Sequence, residues 1–404
     1  MLIMMGNGLF TTLISLRANI EYGPVIIGPM IAAFFLGFVV ATLWIGGLIN
    51  RAGHIRSFAI LAGASTATSL SFLLIPNPWV WVVLRLLMGM CVAGCFVVTE
   101  SWMNNRATNE NRGILLSIYM GLMYLSSAAG QQALQFGDPA KFEIFAFTSI
   151  LIAVAIIPVA ATKETFPNPV PKTKIHLRRL IQTSPTAVAG CLISGFVLSS
   201  LGGLGPIYAQ SLGLEINGIA LFMSIFVIGG LLFQIPVGRL SDHYDRRKVL
   251  GAVTAIAILP SLILSFGSLV NATFIFVSIA LLGGLIATIY PLSISYANDY
   301  LESDEIISTS AGFVLIFGTG AMLGPVIGSV MMLKMGYQSL FILITLALLS
   351  LVLYIAWRTQ IRQWVPVKAK EAFVALPEHP APTIISDLDP RTEISSQSNS
   401  KEKI

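Results

Sequence analysis

The chain has 404 residues, of which 55% are hydrophobic and only 11% are charged, and its mean hydropathy is +0.82. Soluble domains carry about 25% charged residues, so this composition excludes a soluble protein and predicts one embedded in a lipid bilayer. The formal net charge of +5 would suit nucleic acid, but the sequence offers no basic face, and we expect no such partner.

Long apolar runs with short polar breaks follow one another along the chain, without the alternation typical of barrel strands. A spanning helix needs about 20 apolar residues. We therefore predict an all-α membrane protein with twelve transmembrane helices in two six-helix repeats. The predicted spans are 1–16, 25–49, 58–76, 79–100, 114–135, 142–162, 186–208, 217–238, 249–269, 272–297, 308–332 and 338–358.

The first predicted span is short, because only sixteen residues precede Arg17. We expect a tilted or shortened helix. A cleaved signal peptide is the alternative, but the segment has no positively charged start and no small-residue cleavage site.

The spans and their connections divide the chain into four segments. Residues 1–162 form an N-terminal six-helix half, 163–185 a proline-containing cytoplasmic linker loop, and 186–358 a C-terminal six-helix half. The remaining tail, 359–404, is polar and predicted to be disordered.

Lysine and arginine predict the orientation, because cytoplasmic loops carry an excess of both. With the N-terminus inside, only Arg17, Lys141 and Lys334 face outward. Thirteen basic residues then lie in cytoplasmic loops. We predict a multi-pass protein of the cell (inner) membrane with both termini in the cytoplasm.

An internal repeat links the two halves. GGLINRAGHIR (46–56) follows the second span and GRLSDHYDRRK (238–248) follows the eighth, at an offset of 192 residues. Gly37 and Gly229 keep this offset inside the preceding spans. Close helix approach explains the repeated glycines, and Asn50 and Asp242 are positioned to cap the next helix.

At these residues the chain resembles the major facilitator superfamily, whose G-x-L-x-D-R-x-G-R-R motif follows the second helix with a weaker copy after the eighth. Arg85 and Gly89 match a second family feature in helix four. Within the family, WVWVVLRLLMGMCVAGCFVVTESW and QIPVGRLSD look most like the YcaD-like branch of poorly characterised bacterial members. The resemblance implies the major facilitator fold, with helices one, four, seven and ten lining a central cavity.

Arg85 is the strongest candidate for a substrate or coupling residue. A charged side chain inside a span costs free energy and usually faces a cavity or a partner. The alternative is a structural arginine bonded to backbone carbonyls and to Asn7 or Ser15. An uncompensated positive charge favours anionic or neutral substrates over cations. Further candidates, which could equally bind neighbouring helices together, are Gln131, Gln234, Tyr290, Tyr119 and Tyr124.

Acidic residues are absent from the middle of every predicted span. Glu100 and Asp299 lie near the predicted cytoplasmic ends of helices four and ten, at positions that look equivalent in the two halves. We expect Glu100 to pair with Arg51, Arg106 or Arg112 in a gate, and proton carriage is the alternative role. The complete predicted cytoplasmic gate is Asn50, Arg51, Glu100, Arg112, Asp242, Arg246 and Asp299.

No motif for catalysis, metal or cofactor binding is evident, so we predict no enzyme activity and no cofactor. Cys91, Cys95 and Cys191 lie in apolar runs and predict packing rather than a disulfide framework. Helix eleven carries Gly320, Gly324 and Gly328, a small-residue packing face.

We therefore predict a secondary active transporter that moves a small organic solute by alternating access. Its expected partners are the solute and the bilayer, with protons as an open alternative, and we expect a monomer. Two other functions remain open. The first is multidrug efflux, which is disfavoured because helix five lacks the glycine-proline motif of many drug antiporters. The second is a non-transporting membrane sensor that kept the fold.

Overall fold

The computed structural model describes residues 1–106, 112–162, 177–300 and 303–359, and the regular structure in these ranges is entirely helical. The predicted all-α membrane fold is confirmed. The α-helices are α1 (Leu2–Tyr22), α2 (Ile27–Ala52), α3 (His54–Leu74), α4 (Pro78–Arg106), α5 (Arg112–Ala133), α6 (Phe142–Val154), α7 (Ile156–Ala160), α8 (Leu177–Thr183), α9 (Pro185–Ser211), α10 (Ile216–His243), α11 (Arg246–Ser265), α12 (Ala272–Asn298), α13 (Ser303–Met335) and α14 (Ser339–Thr359).

Eleven helical segments in the described ranges are long and apolar enough to cross a membrane, with α6 and α7 forming one of them. The twelfth predicted span is α1, which is less apolar because polar residues such as Asn7 and Thr12 lie along it. Both residues are buried inside the bundle. A helix surrounded by other helices can carry such groups because it does not face lipid.

The predicted end of the first span was wrong. Helix α1 continues past Arg17 to Tyr22 and has 21 residues, which at about 1.5 Å per residue gives about 31 Å, enough for the hydrocarbon core. Arg17 stays in the helix because it pairs with Glu21 one turn later and donates to the carbonyl oxygen of Ala140. A charge ends a hydropathy window but does not end a helix.

The predicted linker loop is partly helical, since α8 occupies Leu177–Thr183 and buries Leu180. The rest of the linker up to residue 176, and the tail from residue 360 onward, lie outside the described residues.

The helices pack as two groups with matching internal contacts. In the first group, α1–α7, α2 packs on α4, and α1 packs on α5 and α6. In the second group, α9–α14, α10 packs on α12, and α9 packs on α13 and α14. The groups meet along α2–α13, α5–α10 and α1–α9. We call the end that carries Met1, Gly53 and Tyr244 the predicted cytoplasmic face.

Glycines set the closest crossing in each group, and the repeated pair Gly37 and Gly229 lies at these crossings. A methyl group on Gly37 would overlap the carbonyl oxygen of Leu86 in α4, and one on Gly229 would overlap that of Ala280 in α12. The contact is reciprocal, because Gly89 of α4 lies equally close to the backbone of α2.

The corresponding glycine of α12 is Gly283, which lies against the carbonyl oxygen of Phe226, while Gly89 lies against that of Phe34. Phe34 and Phe226 are separated by the same 192 residues as the glycines, and Gly89 and Gly283 by 194. The internal repeat in the sequence is therefore also a repeat in backbone packing.

A second crossing repeats in the same way. Gly130 of α5 lies against Met5 and Leu9 of α1, and Gly320 of α13 lies against Leu192 and Phe196 of α9. Along α13, the other two glycines of the predicted packing face also contact α9: Gly324 meets Phe196 and Ser200, and Gly328 meets Leu204. The predicted packing role of this face is confirmed.

Asn50 and Asp242 are not the N-cap residues of the helices that follow them, which are Gly53 and Asp245. Asn50 and Asp242 lie in the last turns of α2 and α10, before the amino ends that they were expected to cap. Helix α11 is capped by Asp245, whose side chain accepts from the Arg247 N–H at 2.9 Å. Helix α3 follows Gly53, which has a φ of 80° and turns the chain without a side-chain cap.

Gly37→Ala should destabilise the protein, because its methyl group would overlap the backbone of α4. Overpacking of this kind costs about 1–3 kcal/mol. Gly47→Ala in the same helix is the matched control, since nothing lies within 4 Å of the added carbon. The two melting temperatures in detergent test this prediction, and equal values would contradict a tight α2–α4 crossing.

Candidate functional site

A central cavity lies where the two helix groups meet, and it has a volume of about 40 Å³. A buried water needs roughly 10–15 Å³ on this measure, so the space holds a few waters and no organic solute of ordinary size. The conformation is therefore closed around the cavity. Its lining is Asn7, Gly8, Thr11, Ile31, Phe34, Phe35, Arg85, Ser127, Gln131, Leu198, Ser199, Gly202, Gly203, Met223, Phe226, Val227 and Phe317.

Arg85 of α4 lines the cavity with its side chain 1% exposed. Its guanidinium carbon lies 4.8 Å from the ring centre of Phe34 and 5.8 Å from that of Phe10, both within cation–π range. Nε and Nη1 are buried without a hydrogen-bond acceptor in the described part of the chain. The hydrogen bonds expected of a structural arginine, to carbonyls and to Asn7 or Ser15, are thus not formed by these two nitrogens within the described ranges.

The first helix group also supplies polar neighbours of Arg85. Asn7 is 2% exposed, and its Oδ1 has no donor among the described residues. Gln131 of α5 lines the cavity and accepts a hydrogen bond from Thr12 of α1, which fixes its amide. Ser127 of α5 lies nearby in the lining. This wall therefore presents one formal charge and several hydrogen-bonding groups.

The wall from the second helix group is apolar. Met223, Phe226 and Phe317 contribute large side chains, and Gly203 brings the α9 backbone close to Ile31 of α2. Ser199 is the hydroxyl on this wall. The first group therefore supplies all the polar lining side chains except Ser199, beside apolar ones such as Phe34, and the second group supplies a mostly apolar wall.

Two predicted substrate residues instead bind each other across the groups. Nε2 of Gln234 in α10 donates to the hydroxyl of Tyr124 in α5 at 2.6 Å, and both side chains are buried. Neither belongs to the cavity lining. Tyr290 also lies outside the lining, with its ring 5.1 Å from that of Phe317. It supports the cavity wall from behind.

Tyr119 forms a buried pair with Glu100. The Tyr119 hydroxyl donates to Oε1 of Glu100 at 3.1 Å, and Oε2 has no donor in the described ranges. Glu100 is fully buried, whereas Arg51 is exposed and the Arg106 and Arg112 side chains lie outside the description. The expected arginine partner is therefore replaced by a tyrosine in the part that the structure describes.

A second cavity of about 370 Å³ lies next to this pair, toward the predicted cytoplasmic face. Tyr119 lines it together with Met1, His54 and Trp102. Most of the other lining side chains are apolar. The buried carboxyl pair is thus separated from the predicted cytoplasmic face by a void rather than by solid packing.

Three predicted gate residues do come together. Arg246 Nη1 lies 2.5 Å from Asp299 Oδ1, and Nη2 lies 3.2 Å from Asp242 Oδ1. Nη1 also donates to the Ser295 carbonyl oxygen at 2.8 Å. All these residues belong to α10–α12 or the residue that follows, so the cluster fastens the second group at its predicted cytoplasmic end.

The first group has different chemistry at the corresponding place. The 192-residue offset pairs His54 with Arg246, and His54 Nε2 lies 3.0 Å from the Ser101 hydroxyl. Asn50 and Arg51 are exposed at the end of α2. Glu100 and Asp299 are not equivalent positions of the repeat. The crossing glycines Gly89 and Gly283 are 194 residues apart, and the same offset makes Asn105 the counterpart of Asp299.

Several cavity residues were not predicted from the sequence, including Thr11, Ser127 and Ser199. A usable signal was present in the first helix, where Asn7, Thr11 and Ser15 recur every four residues and therefore share a face. Ser127 and Gln131 of α5 are also four residues apart, but Ser199 is the one polar side chain that α9 contributes to the lining, and its position depends on helix crossings.

The opposite end of the bundle is held closed between the groups. Nδ2 of Asn19 in α1 donates to Oε1 of Gln210 in α9 at 3.2 Å. Gly28 of α2 lies against the backbone of Val326 and the hydroxyl of Ser329 in α13. These contacts separate the central cavity from that end.

Comparison with known proteins gives consistent matches along the chain. The family model described as Major Facilitator Superfamily matches residues 1–223 and 187–396. The uncharacterized MFS-type transporter YcaD of Escherichia fergusonii is 29% identical over 321 residues, covering 79% of this chain and 82% of the relative. The uncharacterized MFS-type transporter Ent638_1421 of Enterobacter sp. strain 638 is 28% identical over 320 residues, with the same coverage of both chains.

Solved structures match in fold at low sequence identity. The nucleoside transporter NupG superposes with a TM-score of 0.76 at 12% identity, covering 89% of this chain and 97% of that one. A bacterial homologue of the human lysosomal transporter Spinster, crystallised inward-facing and occupied, gives 0.72 at 13%, covering 92% and 96%. A D-xylose–proton symporter gives 0.68 at 13%, covering 91% and 98%.

Arg85→Met should leave the protein as stable as the wild type or more stable, because it removes two buried nitrogens that have no acceptor among the described residues. Such groups cost about 1–3 kcal/mol each. Arg56→Met, at an exposed arginine, is the control for the chemical change. Melting temperatures in detergent decide between the readings. A marked loss of stability in Arg85→Met alone would show that the guanidinium holds the fold together.

Proposed function

This chain belongs to the Major Facilitator Superfamily, and from that premise we propose that it moves a small organic solute across the cell membrane by alternating access. Membership indicates a multi-pass membrane transporter rather than an enzyme. The observation that carries the proposal is the closed cavity between two helix groups, lined from both sides and containing Arg85, whose Nε and Nη1 have no acceptor among the described residues.

The packing supports rocking of the two groups as the mechanism. Glycine-to-backbone contacts make each group internally tight, and residues 1–162 and 186–358 would move as the two units. Between the groups, Gly28 of α2 also lies against the α13 backbone, but the other joints include individual side-chain bonds such as Asn19–Gln210 and Tyr124–Gln234. Single hydrogen bonds contribute only about 0.5–1.5 kcal/mol net, so they can be broken and remade during a cycle.

The charged cluster of Arg246 with Asp242 and Asp299 would keep the second group rigid at its predicted cytoplasmic end. In this proposal the cluster joins helices of the second group to each other, and the cavity opens by movement between the two groups. Both termini would lie in the cytoplasm, because the basic loops are at that face.

Proton coupling through Glu100 is the second part of the proposal. Its carboxyl is fully buried, and its described partner is a neutral hydroxyl, so proton binding would change a buried charge. His54 contacts the hydroxyl of Ser101, the residue that follows Glu100 in α4. The second cavity, which His54 and Tyr119 both line, offers protons a path from the predicted cytoplasmic face. The D-xylose–proton symporter shares the fold alone, so the coupling proposal depends on Glu100 itself.

Alternating access predicts two distance populations between spin labels at positions 19 and 210, which lie across the two groups. Labels at positions 69 and 149 are the matched control, since Ser69 and Ser149 are bonded within the first group at 2.7 Å. Pulsed electron paramagnetic resonance in nanodiscs should give a closed and a longer distance for the first pair. The control pair should give one distance. A single narrow distance for both pairs under all conditions would favour a non-transporting sensor.

Glu100→Gln should make the same distance distribution independent of pH, because glutamine mimics the protonated carboxyl and can still accept from Tyr119. At neutral pH the variant should resemble the wild type at low pH. Glu143→Gln, at an exposed acid at the start of α6, is the control and should titrate like the wild type. If Glu100→Gln keeps the wild-type pH response, the coupling role of Glu100 is wrong.

A further inference from the structure

We propose that the solute is a small amphipathic organic monoanion, whose carboxylate binds Arg85 and whose apolar part lies against the second helix group. This inference rests on the proposed function, since it names the substrate class of the same cavity. It depends on three features of the lining: its charge, its unpaired donors and the separation of polar from apolar walls.

The charge of the lining is +1, because Arg85 is its one ionisable side chain. A cation entering the cavity would meet a like charge in a site with little water, and a dianion would leave one negative charge uncompensated. A monoanion neutralises the site. The carboxylate of a small organic acid has this charge and accepts several hydrogen bonds.

Two donor nitrogens of Arg85 are available to a ligand, because no described protein group accepts from them. The aromatic rings of Phe34 and Phe10 lie close to the guanidinium and supply no acceptor oxygen, so Nε and Nη1 keep their hydrogen-bonding capacity. Charged donors buried at 1% exposure are normally paired. A carboxylate oxygen would satisfy them with charge-assisted hydrogen bonds.

The two walls give the ligand a direction. Arg85, Gln131 and Ser127 place the polar groups on the first helix group, while Met223 and Phe226 present apolar surface on the second. A molecule with a carboxylate at one end and a short apolar body at the other would contact both groups at once. Binding would therefore hold the groups together around the solute.

Benzoate, benzamide and benzamidinium test this class, because they share one ring and differ in charge from −1 to 0 to +1. Acetate and butyrate extend the series toward shorter apolar bodies. Thermal stabilisation of the purified protein should follow benzoate, then benzamide, with no effect of benzamidinium. Benzoate should stabilise Arg56→Met like the wild type and bind Arg85→Met about tenfold or more weakly, the ratio that corresponds to one charge-assisted hydrogen bond.

Stabilisation by benzamidinium or benzamide equal to that by benzoate would overturn the proposal, and a cationic preference would favour multidrug efflux. The proposal also fails if no carboxylate of the series stabilises the protein, or if Arg85→Met responds like the wild type. Counterflow of labelled benzoate into proteoliposomes separates this inference from the proposed function. Binding through Arg85 without counterflow would keep the ligand class and refute transport.

Discussion

Contact between helix backbones at glycine is the constraint on which the rest of the structure depends. Lipid tails are as apolar as most helix surfaces, so burial of apolar area gives little net attraction between membrane helices. Close approach at Gly37 and Gly89, and again at Gly229 and Gly283, supplies dispersion contacts that larger side chains would prevent. These crossings are inside the two groups and make each group stiff. The boundary between the groups combines a glycine contact, Gly28 on α13, with individual side-chain bonds such as Asn19–Gln210.

The two groups share a backbone plan but differ in chemistry. One contributes a buried guanidinium and amides to the central cavity beside the rings of Phe34 and Phe35, and the other contributes a mostly apolar wall. The two groups also differ at the predicted cytoplasmic face. His54 of the first group occupies the position that corresponds to Arg246 of the second, which pairs with Asp242 and Asp299. A repeat of packing therefore does not imply a repeat of function, and an asymmetric cavity can recognise a molecule that has two unlike ends.

The sequence predicted the helical class, the repeat and the position of Arg85, because hydropathy, glycine spacing and an intramembrane charge are local signals. It could not place Tyr124 and Gln234, since their bond joins residues 110 apart across two groups. Polar residues of α5 and α9 look alike in sequence whether they face a cavity or another helix. The predicted spans ended too early at residues 16 and 100. Arg17 pairs with Glu21 and Glu100 is buried among other helices, and a hydropathy scale measures neither effect.

The glycines of the crossings lie directly beside the residues of the cavity in the chain: Gly8 follows Asn7, and Gly130 precedes Gln131. In each of these helix turns the glycine packs against a neighbouring helix, and the adjacent residue places a polar side chain in the cavity. Selectivity can be redesigned at Asn7 or Gln131 while the adjacent glycine holds the helix in register. The same frame could thus accept a new cargo through changes of single side chains, with no change in how the helices are assembled.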